Sequence, residues 1–104
     1  MVDRKIRSVK IKKSTKGKAK YVACFYNKSK KLVKASRFGA KGYSDFTKHK
    51  DTKRKKRYIN RHKSRENWSR SGMTSAGALS RWILWNKPTL KESINNYKNR
   101  FNLK

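Results

Sequence analysis

Residues 47–57 contain no apolar side chain; they read Thr-Lys-His-Lys-Asp-Thr-Lys-Arg-Lys-Lys-Arg. A helix or strand drawn from that stretch cannot bury a face of its own, so any core must be assembled from what flanks it. The stretch belongs to a longer basic run. Residues 48–65 hold ten cations (Lys48, Lys50, Lys53, Arg54, Lys55, Lys56, Arg57, Arg61, Lys63 and Arg65) against one acid, Asp51. Like charges four apart on a helix repel one another. A segment of this density calls for outside compensation; a phosphate backbone is the favoured source, ahead of another polyanion or a membrane surface and of a face that is simply solvated.

The rest of the chain reinforces that reading. Across 104 residues, 32 Lys and Arg face 5 Asp and Glu, a formal net charge of +27. This length allows one domain, 1–104, with a β meander in 1–40 and a helical part in 44–104. Apolar residues make up only 34%, close to the disordered class, but 12% aromatics clustered with aliphatics argue for a thin core. Self-repulsion weakens such a fold, and a polyanionic partner stabilises it by mass action. The basic residues are spread over both halves of the chain, so the charge is not a detachable arm.

Cys24 is the sole cysteine, which excludes a disulfide framework and a cysteine-built zinc site. It is expected as a small buried strand residue in a reducing compartment. No apolar run approaches the ~20 residues that span a bilayer. Met1-Val2-Asp3-Arg4-Lys5 lacks the apolar region of a signal peptide, so the chain is expected not to be secreted.

Residues 4–13 alternate as a strand, although Ile6 and Val9 differ in parity. Residues 14–18, with Gly17, read as a turn. Residues 19–27 are the best strand of the chain, and 32–38 form a third after the polar turn at 27–31. These spacings predict a three-stranded antiparallel meander. A helix is expected from Asp45 to His62, with Ser44 as N-cap, Asp45 at its positive end, and Phe46, Tyr58 and Ile59 as its apolar anchors. On it, Lys50, Arg54, Arg57 and Arg61 fall on one face. Residues 64–75 read as loop or short turn. Residues 76–86 predict an apolar helix stopped by Asn86-Lys87-Pro88. Thr89 to Glu92 is a capping box, opening a last helix with Leu90, Ile94, Tyr97 and Phe101 on one stripe. The expected class is α+β: the meander, a long basic helix, and two C-terminal helices packed through Trp82, Ile83, Leu90, Ile94, Tyr97 and Phe101.

The residues expected to contact nucleic acid are Lys48, Lys50, Lys53, Arg54, Lys55, Arg57, Arg61, Lys63 and Arg65, with Arg37 and Lys41 from the glycine-bearing connection. Lysines outnumber arginines, which favours point-charge contact with the backbone over bidentate reading of bases. Double-stranded DNA is the expected partner, with little sequence preference. Tyr21, Phe25, Tyr26 and Phe38 could stack bases, but covering the core is the favoured role. Residues 37–42 lack the spacing of a phosphate loop. His49, Asp51, His62 and Glu66 could make a metal-dependent nuclease. The plainer roles are preferred: Asp45 caps, Asp51 pairs with nearby cations, and His62 packs at the helix end. No enzyme activity, metal or cofactor is expected. Trp82 is expected in the core, while Trp68 and Trp85 are open between core and interface.

Residues 31–101 resemble a family of small, basic, uncharacterised proteins of large nucleocytoplasmic DNA viruses. The resemblance is carried by Arg37-Phe38-Gly39, Gly42-Tyr43-Ser44-Asp45-Phe46-Thr47, Arg57-Tyr58, Arg61-His62, Glu66-Asn67-Trp68, and the segment from Ser80 through Trp82 and Trp85 to Leu90. Members often have Leu where this chain has Trp85, and an aromatic where it has Ala78. The resemblance carries no activity. It implies a viral origin and a virion or virus-factory location in the host cytoplasm. It leaves two structural roles open: binding the genome, or acting as a minor capsid protein between acidic shell proteins or against an inner membrane.

Overall fold

The computed structural model describes residues 4–104; Met1, Val2 and Asp3, where the expected meander region and the signal-peptide reading begin, lie outside the described residues. Strands β1 (Ser8–Lys13), β2 (Ala19–Tyr26) and β3 (Leu32–Ala40) form an antiparallel sheet in the order β1-β2-β3. Helices α1 (Phe46–His49), α2 (Thr52–His62), α3 (Ala76–Leu79) and α4 (Leu90–Arg100) follow. The class is α+β, as the sequence predicts.

The turns explain the meander. Gly17 takes φ +67°, the left-handed region open to glycine. Between β2 and β3, the Asn27 side chain accepts from the backbone N–H of Ser29 and Lys31, closing a turn that mimics a backbone turn. Val9 pairs with Phe25, and Tyr21 with Phe38. Paired residues share a face, so Val9, Ala23, Phe25 and Phe38 turn inward together and are buried. Ile6 precedes β1, which removes its parity conflict with Val9. Cys24 alternates with Ala23 and Phe25 and is half-buried on the outer face, not buried as expected.

The inward face packs against Leu79, Ile83, Leu84, Tyr97 and Phe101. The Tyr97 hydroxyl donates to the Met73 carbonyl at 2.7 Å inside this core, and burial raises its pKa. The expected helix over 76–86 is shorter: α3 ends at Leu79 and the chain continues as a π-type turn, Ser80–Leu84. That wider turn buries Ile83 and Leu84 and leaves Trp82 half-buried. Trp82 is a rim residue, with the Arg100 and Arg81 guanidiniums 3.8 and 4.4 Å from its ring centre. The Thr89 cap forms as predicted, accepting from the Glu92 N–H at 3.2 Å. After α4, Lys104 pairs with the free edge of β1: its N–H donates to Arg7 and its carbonyl accepts from Val9, both at 3.0 Å.

Candidate nucleic-acid interface

The basic run does not form one helix. Lys50 adopts φ +54° and Asp51 starts afresh as the N-cap of α2, accepting from the backbone N–H of Lys53 and Arg54 at 3.0 and 3.3 Å. The physical reason is local. A carboxylate inside a through-helix would face its own turn unbonded, whereas as an N-cap it satisfies two otherwise orphaned amides. Those two hydrogen bonds, the one from Arg54 foremost, hold the Asp51 carboxyl below the usual carboxylate value. At the other break point Asp45, not the expected Ser44, caps α1, accepting from Thr47 N–H at 3.0 Å. The Asp45 carboxylate is buried and pairs with Lys20 on β2 at 2.6 Å.

The break changes which cations share a surface. Lys50 sits on the αL corner, so it does not belong to the α2 face with Arg54, Arg57 and Arg61. Lys48 and Lys50 are exposed on the preceding turn. Lys53, Arg54, Lys56, Arg57 and Arg61 are exposed on α2, and Lys63 and Arg65 continue the surface beyond its end. Lys55 is a correction: its ammonium lies inward, donating to the Asn86 carbonyl at 2.6 Å and standing 4.8 Å from the Phe46 ring centre. Burial, then Arg81 and Lys87, lower its pKa. Arg37 is separate as well, opposite Val22 on the outer face of the sheet, beside Lys12. Lys41 is exposed in the β3–α1 connection, its N–H donating to the Lys18 carbonyl.

Among the described residues no acid pairs with the outward cations of α2. The ion pairs there are Lys20 with Asp45 and His62 with Glu66. Asp51 is used as a cap, and Glu92 lies in the first turn of α4. The face of α2 therefore meets solvent with its charge uncompensated.

Rings hold that helix to the body. Tyr58 lies parallel to Trp85, centres 4.4 Å apart at 3°, and His62 stacks on Tyr58 at 4.3 Å. His49 tilts against Trp85 at 5.2 Å. Burial pushes the Tyr58 phenol up to about 12. An aromatic pair contributes about 0.5–1.5 kcal/mol beyond its buried area. A like-charge pair one turn apart costs about 0.2–0.5 kcal/mol. The ring ladder thus offsets the repulsion along α2, which resolves the open question for Trp85: it is the anchor of the basic helix. Trp68 is half-buried, its carbonyl accepting from the Trp82 indole N–H at 3.0 Å.

The nuclease residues are dispersed over these structural tasks. His49 Nδ1 accepts from the Asp51 N–H at 2.9 Å, and burial, then Arg54, lower its pKa. His62 meets Glu66 at 2.9 Å. Glu66 in turn lies against Gly77, where a Cβ would fall 1.9 Å from its carboxylate oxygen. Among the described residues no three of His, Cys, Asp and Glu converge as metal ligands. No helix among them is long and apolar enough to cross a membrane.

Sequence reasoning missed Tyr43. It is 72% exposed in the connection before α1 and lines a cleft of about 340 Å³ with Ser44, Trp85, Arg54, Arg57 and Arg61. The signal was available: an aromatic between Gly42 and Ser44, in a polar connection where no core face is in reach.

A family profile matches residues 9–62, from β1 to the end of α2. The chain belongs to the Family of unknown function (DUF5754). The DUF5754 match covers the meander and the basic helix; Trp85, Asn86 and Glu66, against which α2 docks, lie beyond it. Comparison with curated proteins and with solved structures gave no match.

Proposed function

We propose that this DUF5754 chain is a non-enzymatic nucleic-acid-binding protein that contacts the phosphate backbone with little sequence preference, double-stranded DNA being its first expected partner. The observation that carries the reading is the outward face of α2, where Lys53, Arg54, Lys56, Arg57 and Arg61 are exposed with no acid paired to them. Lys63 and Arg65 extend it, and Lys48, Lys50 and Lys41 flank it. Lys55 contributes by docking the helix. The viral resemblance supports a place in a virion or virus factory.

A gel shift with arbitrary duplex DNA, repeated across salt concentrations, tests this. If each of the five outward cations neutralises one phosphate, the log-log salt slope is about −4.5. Absence of binding at about 50 mM salt overturns the proposal.

A second reading has an observation of its own. Lys10, Lys12 and Arg37 make a separate cationic surface on the outer face of the sheet. Two basic faces suit a minor capsid protein that bridges acidic shell proteins. That role requires a fixed copy number that stays with the shells once the genome is removed; loss of the protein with the DNA refutes it.

A further inference from the structure

We infer that the cleft between α2 and the β3–α1 connection binds one unpaired nucleotide, its phosphate on Arg54, Arg57 and Arg61 and its base stacked on Tyr43. The inference rests on the nucleic-acid reading and deepens it: the rest of the α2 face needs only phosphates, whereas this cleft is built for a base as well.

Four observations converge here. The three arginines fall three and four residues apart, on one side of α2, and line the same hollow. Each carries a planar fork of donors that fits phosphate oxygens in pairs, which lysine does not. Tyr43 is an aromatic with no core role: among the described residues no other ring stacks on it, and only it and Leu32 are large exposed apolar side chains. A base has two π-faces, and stacking on such a platform tolerates any sequence.

The third observation is rigidity. Gly42 takes φ +86°, a conformation L side chains rarely adopt, and the Tyr43 N–H donates to the Ala40 carbonyl at 3.2 Å. On its far side the loop is pinned by the buried Asp45–Lys20 pair. The backbone beneath the platform is therefore already set, and only the Tyr43 ring has to be ordered when it is used. Trp85, clamped against Tyr58, forms a fixed apolar wall.

The fourth is size. A volume of about 340 Å³ lies at the small end of the range for small-ligand sites, about 300–1,000 Å³. A neighbouring hollow of about 260 Å³ shares Tyr43, Ser44, Arg61 and Trp85 with it, so the space continues past one nucleotide. Bases inside a duplex are stacked above and below and cannot lie on Tyr43. An unpaired nucleotide can, so the cleft favours single strands, frayed ends or flipped bases.

Fluorescence anisotropy of the full chain with three labelled probes tests this: a short oligothymidylate, an abasic strand with the same number of phosphates, and a duplex of the same length. The oligothymidylate is expected to bind about tenfold tighter than the abasic strand. Tyr43→Ala is expected to remove that advantage while leaving abasic and duplex binding unchanged, and Tyr43→Phe to keep it. The exposed side chain packs no core, and an unchanged circular dichroism melt checks that the variant folds. Equal binding of oligothymidylate and abasic strand, or no effect of Tyr43→Ala, overturns the cleft while the backbone reading stands. Failure of all three probes to bind overturns both.

Discussion

Two cationic surfaces lie on this molecule, and they are built differently. The outer face of the sheet carries Lys10 and Lys12 on β1 and Arg37 on β3, spread along a pleated surface whose opposite side is the core. The face of α2 carries three arginines and two lysines on a helix that contributes one well-buried residue, Tyr58, to the interior. The first surface is charge laid over a stable layer. The second is charge given an element of its own, held at a distance by rings and edged by an aromatic cleft. No residue over the first six positions of that helix, Thr52 to Arg57, is apolar, which fits the proposed role of presenting cations outward.

The largest expected effect breaks the comparison directly. Arg54→Glu with Arg57→Glu should weaken duplex binding by about 100-fold, and Lys10→Glu with Lys12→Glu by about tenfold or less. Both pairs change the net charge equally, so equal losses in anisotropy titrations would mean that only total charge matters. Next comes attachment. Trp85→Ala removes the ring under Tyr58 and should cost about 2–3 kcal/mol in thermal unfolding. Tyr26→Ala, on the outer face of the sheet, should cost less than half of that, and a smaller loss for Trp85→Ala than for Tyr26→Ala would refute the ladder as the anchor of α2.

The smallest effect is one of pH. The folded-state pKa of His49 lies below its ordinary value of 6.5, so the unfolded chain binds its proton more tightly. Stability from neutral His49 is therefore complete above that value and falls as pH drops from there through the lowered folded pKa. On acidification the protection factors of the α2 amides, with the intrinsic slowing of exchange at lower pH divided out, should fall before those of the sheet. His49→Gln should remove the difference; an unchanged pH response in that variant would assign it elsewhere.

Much of this was legible in the sequence, and the failures have a common cause. The meander could be read because turn chemistry at Gly17 and Asn27 and the alternation of Ala23 and Phe25 act locally. The Thr89 cap is equally local, a side chain reaching an amide three residues on. What could not be read was a choice between two uses of one residue. Asp51 among lysines looks like charge compensation, yet its two backbone hydrogen bonds divide the helix. Lys55 looks like its neighbours, yet only the fold brings the Asn86 carbonyl within its reach. The π-type turn at Ser80–Leu84 has the composition of an ordinary helix, and nothing local in it marks the departure that accompanies burial of Ile83 and Leu84 in the core. For the interface, the charge was legible and so was an aromatic without a core face at Tyr43, but its neighbours were not: only the fold sets it beside Arg54, Arg57 and Arg61.

The two bonds of Lys104 to β1 have a mechanical consequence. Their order, with Lys104 donating to Arg7 and accepting from Val9, is that of strands running in the same direction. Tension applied between Arg4 and Lys104 pulls such strands along their length in opposite senses. Both hydrogen bonds then carry the load at once, rather than opening one after the other like a zip.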